Sequence, residues 1–275
     1  MFNKKIAVLL TSLALVCTLG AGCSKGGTEN KGASVTVSGS TSVGPLIEKE
    51  AEKFKASNGD ISVQVNQLGS SAGIKDAING TVHIGMSSRD LKKEEKDAGL
   101  KEVEIAYDGI AIITHKGNAV KSLSMAQIKD IYTGKITNWK DVGGTDSEIV
   151  VVSREDGSGT RDAFQEIVGY KSEELTQNAQ IGDGSGNIKT TVANNENAIG
   201  FISFEYIDDT IKALDVDAIA PNAANVKDGK YKISRPFLLV YKEDKADENS
   251  KKFIDFILSE EGQKIVEENG LIKIK

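Results

Sequence analysis

The sequence predicts an α/β fold, in which strands and helices alternate along the chain. Apolar, β-branched runs at residues 34–37 and 61–65 are each followed by a stretch with helical spacing, at residues 46–54 and 74–78. Such alternation is typical of a sheet that packs against helices. The 275 residues contain no internal repeat, and this length suits one large domain or two medium ones.

Three turns between a strand and a helix share one composition and carry the first functional signal. In residues 35–48, 63–74 and 149–162, an apolar strand runs into a turn rich in glycine and hydroxyl side chains, and a helical pattern follows. Pro45 stands near the first helical turn, where proline is favoured. Such turns lie at the carboxyl ends of strands, so we expect several of them to converge on one crevice.

The start of a helix suits an anion, because unpaired backbone N–H groups and the positive end of the helix dipole face the same point. Capping of the helix also favours serine and threonine, so a single turn does not decide between the two interpretations. Arg154, four residues before Ser158, strengthens the anion hypothesis, because guanidinium can hold two oxygens of a tetrahedral anion. Asp156 is a candidate to orient this arginine, and a surface Arg–Asp pair is the alternative.

The amino terminus has the pattern of a secretion signal. Lys4 and Lys5 precede an apolar run at residues 6–19, which is shorter than the roughly 20 residues that span a bilayer. The run leads through small residues into Cys23, an arrangement that resembles the lipobox of bacterial lipoproteins, in which the cysteine is lipidated. Ordinary cleavage that leaves a free thiol is the alternative.

A polar, glycine-rich segment follows this cysteine. We assign residues 1–22 to a signal peptide and residues 23–33 to a flexible tether. A tether of this kind lets a folded domain move near a membrane while it stays attached through a lipid. The organisation favours an extracytoplasmic protein that is lipid-anchored to the cell membrane.

Charge and missing motifs argue against several functions. The formal net charge is −6, whereas nucleic-acid binding needs clustered positive charge. The motifs G-x-S-x-G, H-E-x-x-H and G-x4-G-K-[ST] do not occur. His83 and His115 are the only histidines, and we expect a structural role for His83 in the strand-like segment 81–86.

Residues 183–188 resemble a metal-binding loop in part. Asp183, Ser185 and Asn187 have the spacing of the start of a calcium loop, but Ile188 stands where glycine is required. We therefore interpret residues 182–187 as an ordinary loop before a helix. Neither catalytic residues, nor a metal site, nor a cofactor is expected.

Four stretches resemble the substrate-binding proteins of phosphate-specific ABC transporters. The sequence Arg-Glu-Asp-Gly-Ser-Gly-Thr at residues 154–160 looks like the phosphate-binding signature of that family, and residues 39–42, 69–73 and 133–144 are similar to other segments of it. The resemblance covers nearly the whole chain after the tether. It implies a two-lobed periplasmic-binding-protein (type II) fold, with two crossover strands and a ligand cleft between the lobes.

The resemblance also implies domain boundaries. Lobe 1 would comprise residues 34–106 and 241–275, and lobe 2 would comprise residues 107–240. The crossover strands are expected near residues 103–114 and 231–241. Bound phosphate would bridge the lobes and stabilise the closed state, because a ligand shifts a conformational equilibrium only through contacts that differ between the states.

The resemblance identifies the site residues one by one. Hydroxyl groups, two backbone N–H groups and the Arg154 cation would contact the anion, with the N–H groups supplied by Ser42 and Gly159. The expected phosphate-binding residues are Thr41, Ser42, Ser70, Ser88, Arg154, Ser158, Gly159 and Thr160.

Ser88 departs from the family pattern. Well-known members carry an aspartate in this place, which accepts the proton of hydrogen phosphate and so penalises sulfate, an anion with no proton to offer. A neutral serine also donates, so we expect weaker rejection of sulfate. Asp90 and Asp156 are candidates for the missing acceptor.

The function expected from these features is binding of inorganic phosphate outside the cytoplasmic membrane and delivery to an ABC transporter for import. The partners would be phosphate, the permease subunits, and the membrane reached through the lipid anchor, with the chain acting as a monomer. Two alternatives stay open. They are a binding protein for another tetrahedral oxyanion, such as sulfate or molybdate, and a surface phosphatase.

Overall fold

The structure is a computed structural model that describes residues 33–274. The predicted signal peptide, Cys23 and all of the predicted tether except Ala33 lie outside this range. The predicted α/β class is confirmed, because strands and helices alternate along the chain and the helices pack against one sheet. Between residues 33 and 274, no helix combines the length and apolar composition needed to cross a bilayer.

The bounds of the elements follow the predicted alternation. The strands are β1 (Ala33–Gly39), β2 (Ile61–Gln67), β3 (Ile84–Ser87), β4 (Lys101–His115), β5 (Ser122–Leu123), β6 (Val150–Arg154), β7 (Gln180–Gly182), β8 (Ala198–Ser203), β9 (Ile211–Val216) and β10 (Ser234–Tyr241). The α-helices are α1 (Gly44–Ser57), α2 (Ser70–Asn79), α3 (Lys93–Asp97), α4 (Met125–Tyr132), α5 (Gly159–Val168), α6 (Ser185–Ala193), α7 (Ala223–Lys227), α8 (Glu248–Leu258) and α9 (Glu260–Glu268). Short 3-10 helices span Trp139–Val142, Ser172–Glu174 and Phe204–Tyr206.

The strands form one sheet in the order β2-β1-β3-β10-β4-β8-β6-β7, and β9 pairs with both β4 and β5. β1 is parallel to β2 and β3, and β6 is parallel to β7 and β8. β10 is antiparallel to its neighbours β3 and β4. Because parallel neighbours end at the same edge of a sheet, the turns after β1, β2 and β3 lie side by side, as do those after β6 and β7.

Among the described residues, two large hydrophobic cores lie on this sheet beside a smaller cluster made of Ile74, Ala77, Leu91, Leu238 and Val240. The first core contains buried side chains between residues 35 and 106 and between residues 237 and 271, and it is covered by α1, α8 and α9. The second core contains buried side chains between residues 110 and 233. Phe164 and Phe201 stack at its centre, with ring centroids 4.1 Å apart. Residues 33–274 nevertheless form one compact unit.

The two strands expected near residues 103–114 and 231–241 are observed as β4 and β10, and β10 pairs with residues 101–109 of β4. Buried side chains on β4 pack in both cores, and so do those on β10 together with the segment just before it. On β4, Ile105 packs in the first core and Ile110 in the second. On and before β10, Phe237 packs in the first core and Ile233 in the second. The chain therefore crosses between the two cores along β4 and β10.

Glu50 on α1 is a carboxyl group enclosed by the fold. It is 0% exposed, and neither carboxyl oxygen has a hydrogen-bond partner among the described residues. Burial, with a smaller contribution from Glu261, raises the pKa of Glu50 to about 9. The unfolded chain releases this proton near pH 4.5, whereas the folded chain retains it. The stability that Glu50 contributes is therefore lost progressively as the pH rises from 4.5 towards 9.

We expect Glu50→Gln to raise the free energy of unfolding by about 2 kcal/mol at pH 8 and by much less at pH 5, because glutamine has no proton to lose. Urea unfolding at the two pH values measures this difference. An equal effect of the substitution at both pH values would contradict a raised pKa of Glu50.

Candidate functional site

Four turns between a strand and a helix lie close together in the structure. The three turns predicted from the sequence connect β1 to α1, β2 to α2 and β6 to α5, and a fourth connects β7 to α6. Pro45 occupies the first turn of α1, as expected. Contact between the turns is direct, because the N–H of Ser71 in α2 donates to the backbone oxygen of Gly157 before α5 at 3.1 Å.

A cluster of buried hydroxyl groups lies between these turns. Ser42 Oγ, in the turn before α1, is 2.7 Å from Thr160 Oγ1 in the first turn of α5. Thr160 Oγ1 is also 3.3 Å from Ser88 Oγ, which lies 3.3 Å from Ser70 Oγ. All four side chains are at most 1% exposed, so their hydroxyl groups face one another rather than solvent.

Arg154, the last residue of β6, places a guanidinium group beside this cluster. Its Nη1 donates to Ser185 Oγ at 3.0 Å, and its Nη2 donates to Thr41 Oγ1 at 3.0 Å. The Arg154 side chain is buried. A shielded guanidinium group that directs N–H groups at two neighbouring hydroxyl groups can hold two oxygens of one anion with the same fork.

Glu155, rather than Asp156, orients Arg154. Arg154 Nε and Nη2 donate to the two carboxylate oxygens of Glu155 at 2.7 and 2.6 Å. Burial would raise the pKa of Glu155, but the hydrogen bonds from Arg154 hold that pKa below its ordinary value. Asp156 is exposed and pairs with Arg161 at 2.7 Å. The expectation for Asp156 was wrong, because its exposed carboxylate is taken up by Arg161, whereas Glu155 directly after β6 faces the guanidinium group of Arg154.

The start of α5 is both a capped helix end and part of the cluster. Ser158 is the N-cap, and its Oγ accepts the N–H of Arg161 at 3.2 Å. A hydroxyl group that accepts one bond still has a hydrogen to donate, so capping and anion binding are compatible here. Gly159 lies so close to the cluster that a Cβ would be 2.3 Å from Ser70 Oγ and 2.9 Å from Ser88 Oγ. Any residue with a Cβ would collide with these two hydroxyl groups, so this position requires glycine.

Ser40 supports the cluster, although the sequence did not single it out. Ser40 Oγ donates to Ser88 Oγ at 2.9 Å and accepts the N–H of Ser42 at 3.2 Å. The backbone N–H of Ser42, which was expected to contact the anion, therefore has a partner within its own turn in this structure.

Ser88 lies directly after β3 and inside the cluster. The two carboxylates considered as replacements for the missing aspartate, Asp90 and Asp156, are both exposed. Neither of them faces the cluster, so that expectation was wrong. The physical reason is burial, since the hydroxyl groups of the cluster are shielded from solvent whereas these two carboxylates are exposed.

Two further side chains reach the cluster that the sequence analysis missed. Ser185, interpreted as part of an ordinary loop, is the first residue of α6, and its Oγ lies 3.0 Å from Ser42 Oγ. The glycine and hydroxyl composition before α6 repeats that of the other three turns, and this signal could have identified Ser185. Arg235 on β10 donates to Thr160 Oγ1 at 2.9 Å. No local motif marks Arg235.

His83 has a structural contact rather than a place in the cluster. Its Nδ1 is 3.0 Å from the backbone nitrogen of Thr36 and 2.8 Å from Thr36 Oγ1. Residues 81–83 are not part of a strand, because β3 begins at Ile84. These hydrogen bonds hold the segment before β3 against β1.

The chain is similar to known proteins over most of its length. Residues 25–261 match the family model of the PBP superfamily domain. The chain is 34% identical to the phosphate-binding protein PstS of Bacillus subtilis (strain 168), over 99% of this chain and 95% of that protein. It is 32% identical to the phosphate-binding protein PstS of Borreliella burgdorferi, over 88% of this chain and 90% of that protein.

Solved structures agree with these relatives. A crystal structure with bound phosphate, of a protein from Clostridium perfringens described as a phosphate ABC transporter substrate-binding protein, has 67% identity and a TM-score of 0.87, over 88% of this chain and all of that one. An ABC-type phosphate transport receptor from Vibrio cholerae has 38% identity and a TM-score of 0.74, with the same coverage. The predicted periplasmic-binding-protein fold is thereby confirmed. The chain belongs to the PBP superfamily and, within it, to the family of the phosphate-binding proteins PstS.

Proposed function

We propose that this protein binds inorganic phosphate outside the cytoplasmic membrane and delivers it to an ABC transporter for import. The observation that carries the proposal is the buried guanidinium group of Arg154, which lies among hydroxyl groups from four helix starts. The relatives named phosphate-binding protein PstS, and the Clostridium perfringens structure with bound phosphate, support it.

The donors around Arg154 suit a small tetrahedral anion. Phosphate presents four oxygens in different directions, and the donors come from separate turns on both sides of the cluster. The starts of α1, α2 and α5 add backbone N–H groups and the positive ends of helix dipoles. The proposed phosphate-binding residues are Thr41, Ser42, Ser70, Ser88, Arg154, Ser158, Gly159 and Thr160.

In this proposal the two hydrophobic cores belong to two lobes that close on the anion. Residues 34–106 with 241–275 would form lobe 1, residues 107–240 would form lobe 2, and β4 and β10 would be the crossover strands. Phosphate would contact both lobes, so its release would require them to separate. Phe237 and Leu239 pack in the first core although they lie within residues 107–240, so the second boundary between the lobes is better placed near Arg235 than at residue 241.

Side-chain contacts between the two proposed lobes flank the candidate site. On one side, Asp162 Oδ2 of α5 is 3.0 Å from Arg89 Nε and 3.4 Å from Lys92 Nζ. On the other side, Lys49 Nζ donates to Glu205 Oε1 at 3.5 Å, but burial raises the pKa of Glu205 to about 8, so near neutral pH this contact is largely a hydrogen bond to an uncharged carboxyl group. Separation of the lobes would break these contacts, so they would add to the stability of the closed state.

Asp162→Asn should weaken phosphate binding about fivefold and speed phosphate release, because only the closed state loses the ion pair. Calorimetry gives the affinity, and stopped-flow fluorescence gives the rate of release. Asp97→Asn is the matched control, since it removes one partner of an exposed ion pair within α3, and it should change neither quantity. Identical affinities and rates for the two variants would show that the pair does not stabilise the closed state.

Titration of phosphate into the full chain, solubilised in detergent and stripped of phosphate, tests the proposed function. We expect one-to-one binding in the micromolar range or tighter that survives excess sulfate. Absence of binding heat with phosphate would overturn the proposal.

The neutral side chain of Ser88 favours a second candidate function, which is binding of another tetrahedral oxyanion such as sulfate or molybdate. Loss of the phosphate signal in excess of either anion would support this candidate. The relatives are named as binding proteins and a transport receptor, and we propose that this chain likewise binds its ligand without chemical change. Turnover of a chromogenic phosphate ester would instead point to a surface phosphatase.

We further propose that the protein acts as a monomer, attached to the outer face of the cell membrane through a lipid on Cys23, beside the permease subunits of its transporter. The lipobox-like residues before Cys23 and the polar tether after it support this arrangement. Incorporation of a labelled fatty acid tests the attachment. Failure of the full chain to incorporate the label would favour ordinary signal cleavage.

A further inference from the structure

Asp108 and Arg235 form a buried ion pair at the middle of the sheet. Asp108 on β4 and Arg235 on β10 are directly opposed in the antiparallel register, and Arg235 Nη1 lies 2.5 Å from Asp108 Oδ2. Their side chains are 0% and 2% exposed. The pair is therefore shielded from solvent, and its charges act strongly on nearby groups.

Arg235 connects this pair to the candidate site. Its Nη2 donates to Thr160 Oγ1 at 2.9 Å, and its Nε donates to the backbone oxygen of Ser88 at 3.1 Å. A guanidinium group can only donate, so Thr160 Oγ1 accepts this bond and its own hydrogen points elsewhere. Ser42 Oγ lies within reach of that hydrogen, at 2.7 Å. Arg235 thereby fixes Thr160 as a donor directed into the hydroxyl cluster.

Each of these two arginines has a carboxylate partner. Glu155 pairs with Arg154, and Asp108 pairs with Arg235. The four charges cancel, and Ser88 adds none. An entering anion therefore meets many hydrogen-bond donors but little net positive charge, so every additional negative charge on the anion is costly in this buried place.

We propose that Asp108, acting through Arg235 and Thr160, determines which oxyanions the site accepts and replaces the carboxylate that is missing at Ser88. Phosphate can bind with a single negative charge because it can take up a proton, whereas sulfate keeps both of its charges near neutral pH. The negative charge of Asp108 therefore opposes sulfate more than phosphate. The inference rests on the proposed function, and it makes Asp108 a positioning residue that reaches the cluster only through Arg235.

The charge of Asp108 changes within an accessible pH range. Burial raises the pKa of Asp108 to about 6, against the opposing effect of Arg235. The other charged or titratable groups near the pair are Glu205 in the adjacent 3-10 helix, Tyr231 before β10 and Arg154 at the end of β6. Burial raises the pKa of Glu205 to about 8, so Glu205 is already largely neutral where Asp108 titrates.

Sulfate binding at pH 7 and pH 5 tests the inference on the full chain in detergent. Sulfate does not change its charge between these values, so a change in its affinity reports titration of the protein. We expect the sulfate affinity of the wild type, measured by calorimetry, to rise about tenfold at pH 5, because Asp108 loses its negative charge. In Asp108→Asn the sulfate affinity should already be high at pH 7 and should change little with pH.

Two other buried carboxyl groups provide matched controls. Glu205→Gln alters a neighbour of Asp108, and Glu50→Gln alters α1 beside Glu261. Both variants should keep the tenfold rise. If Asp108→Asn does not fold, the test rests on the wild type and Glu205→Gln. A rise in sulfate affinity at pH 5 that occurs in both proteins supports the inference.

A sulfate affinity that does not respond to pH in the wild type would overturn the inference, as would an equal response in Asp108→Asn. Phosphate titrations of the same samples separate this failure from that of the proposed function. Phosphate binding without a pH-dependent sulfate affinity would rule out the role of Asp108 but would leave the proposed function intact. Absence of binding with both anions would remove the proposed function and the inference with it.

Discussion

Arg154→Ala is expected to weaken phosphate binding at least a hundredfold. Arg154 directs two N–H groups at Ser185 and Thr41 within the buried cluster, and loss of a charge-assisted contact in such a place costs about 3–5 kcal/mol. The substitution also leaves the carboxylate of Glu155 without its partner, so that an uncompensated negative charge faces the anion. Calorimetric titration of phosphate measures the loss.

Two further variants separate the contribution of charge from that of geometry. Arg154→Lys keeps the positive charge but not the planar fork, so it should recover only part of the affinity. Lys25→Ala removes a positive charge from the predicted tether and should leave the affinity unchanged. Equal affinities for Arg154→Ala and Lys25→Ala would exclude Arg154 from the site.

Gly159→Ala is expected to lower phosphate affinity by a similar or larger factor without a change of charge. A Cβ at this position would lie 2.3 Å from Ser70 Oγ and 2.8 Å from Ser70 Cβ, which is closer than unbonded atoms approach. Because Gly159 begins α5 and Ser70 begins α2, the added methyl group would hold the two helix starts apart. The donors of the two turns could then no longer reach one small anion.

Gly186→Ala provides the matched control for this substitution. Gly186 also lies in the first turn of a helix at the site, α6, but a Cβ there would meet no atom within 4 Å. We expect unchanged phosphate affinity and a free energy of unfolding that is equal or higher by up to about 1 kcal/mol, since alanine favours a helix over glycine. Calorimetry and urea unfolding of both variants check the pair. Full phosphate affinity in Gly159→Ala would show that the close approach of α2 and α5 is not needed.

The part of the site that could be predicted is the part encoded in short segments. The turns before α1, α2 and α5 were identified because a strand pattern, a glycine and hydroxyl turn and a helix pattern follow one another within about 14 residues. Ser185 belongs to a turn of the same composition. Because residues 183–187 also resemble the start of a calcium loop, Ser185 was weighed as a metal ligand and not as a hydroxyl donor to an anion. Glu155 and Asp156 are both adjacent to β6, and composition could not tell which of them points back to Arg154.

By itself, the sequence determined the α/β class, the positions of the helix starts that supply hydroxyl and N–H donors, and the arginine at the end of β6. These features depend on the conformational preferences of neighbouring residues. Only the tertiary structure decided which distant groups meet. Asp108 and Arg235, separated by 127 positions, are partners because β4 and β10 pair in one register, and Arg235 meets Thr160 because that register aims it at the start of α5. A local pattern does not encode the register between distant strands, so only the folded chain shows the buried ion pair beside the hydroxyl-lined turns.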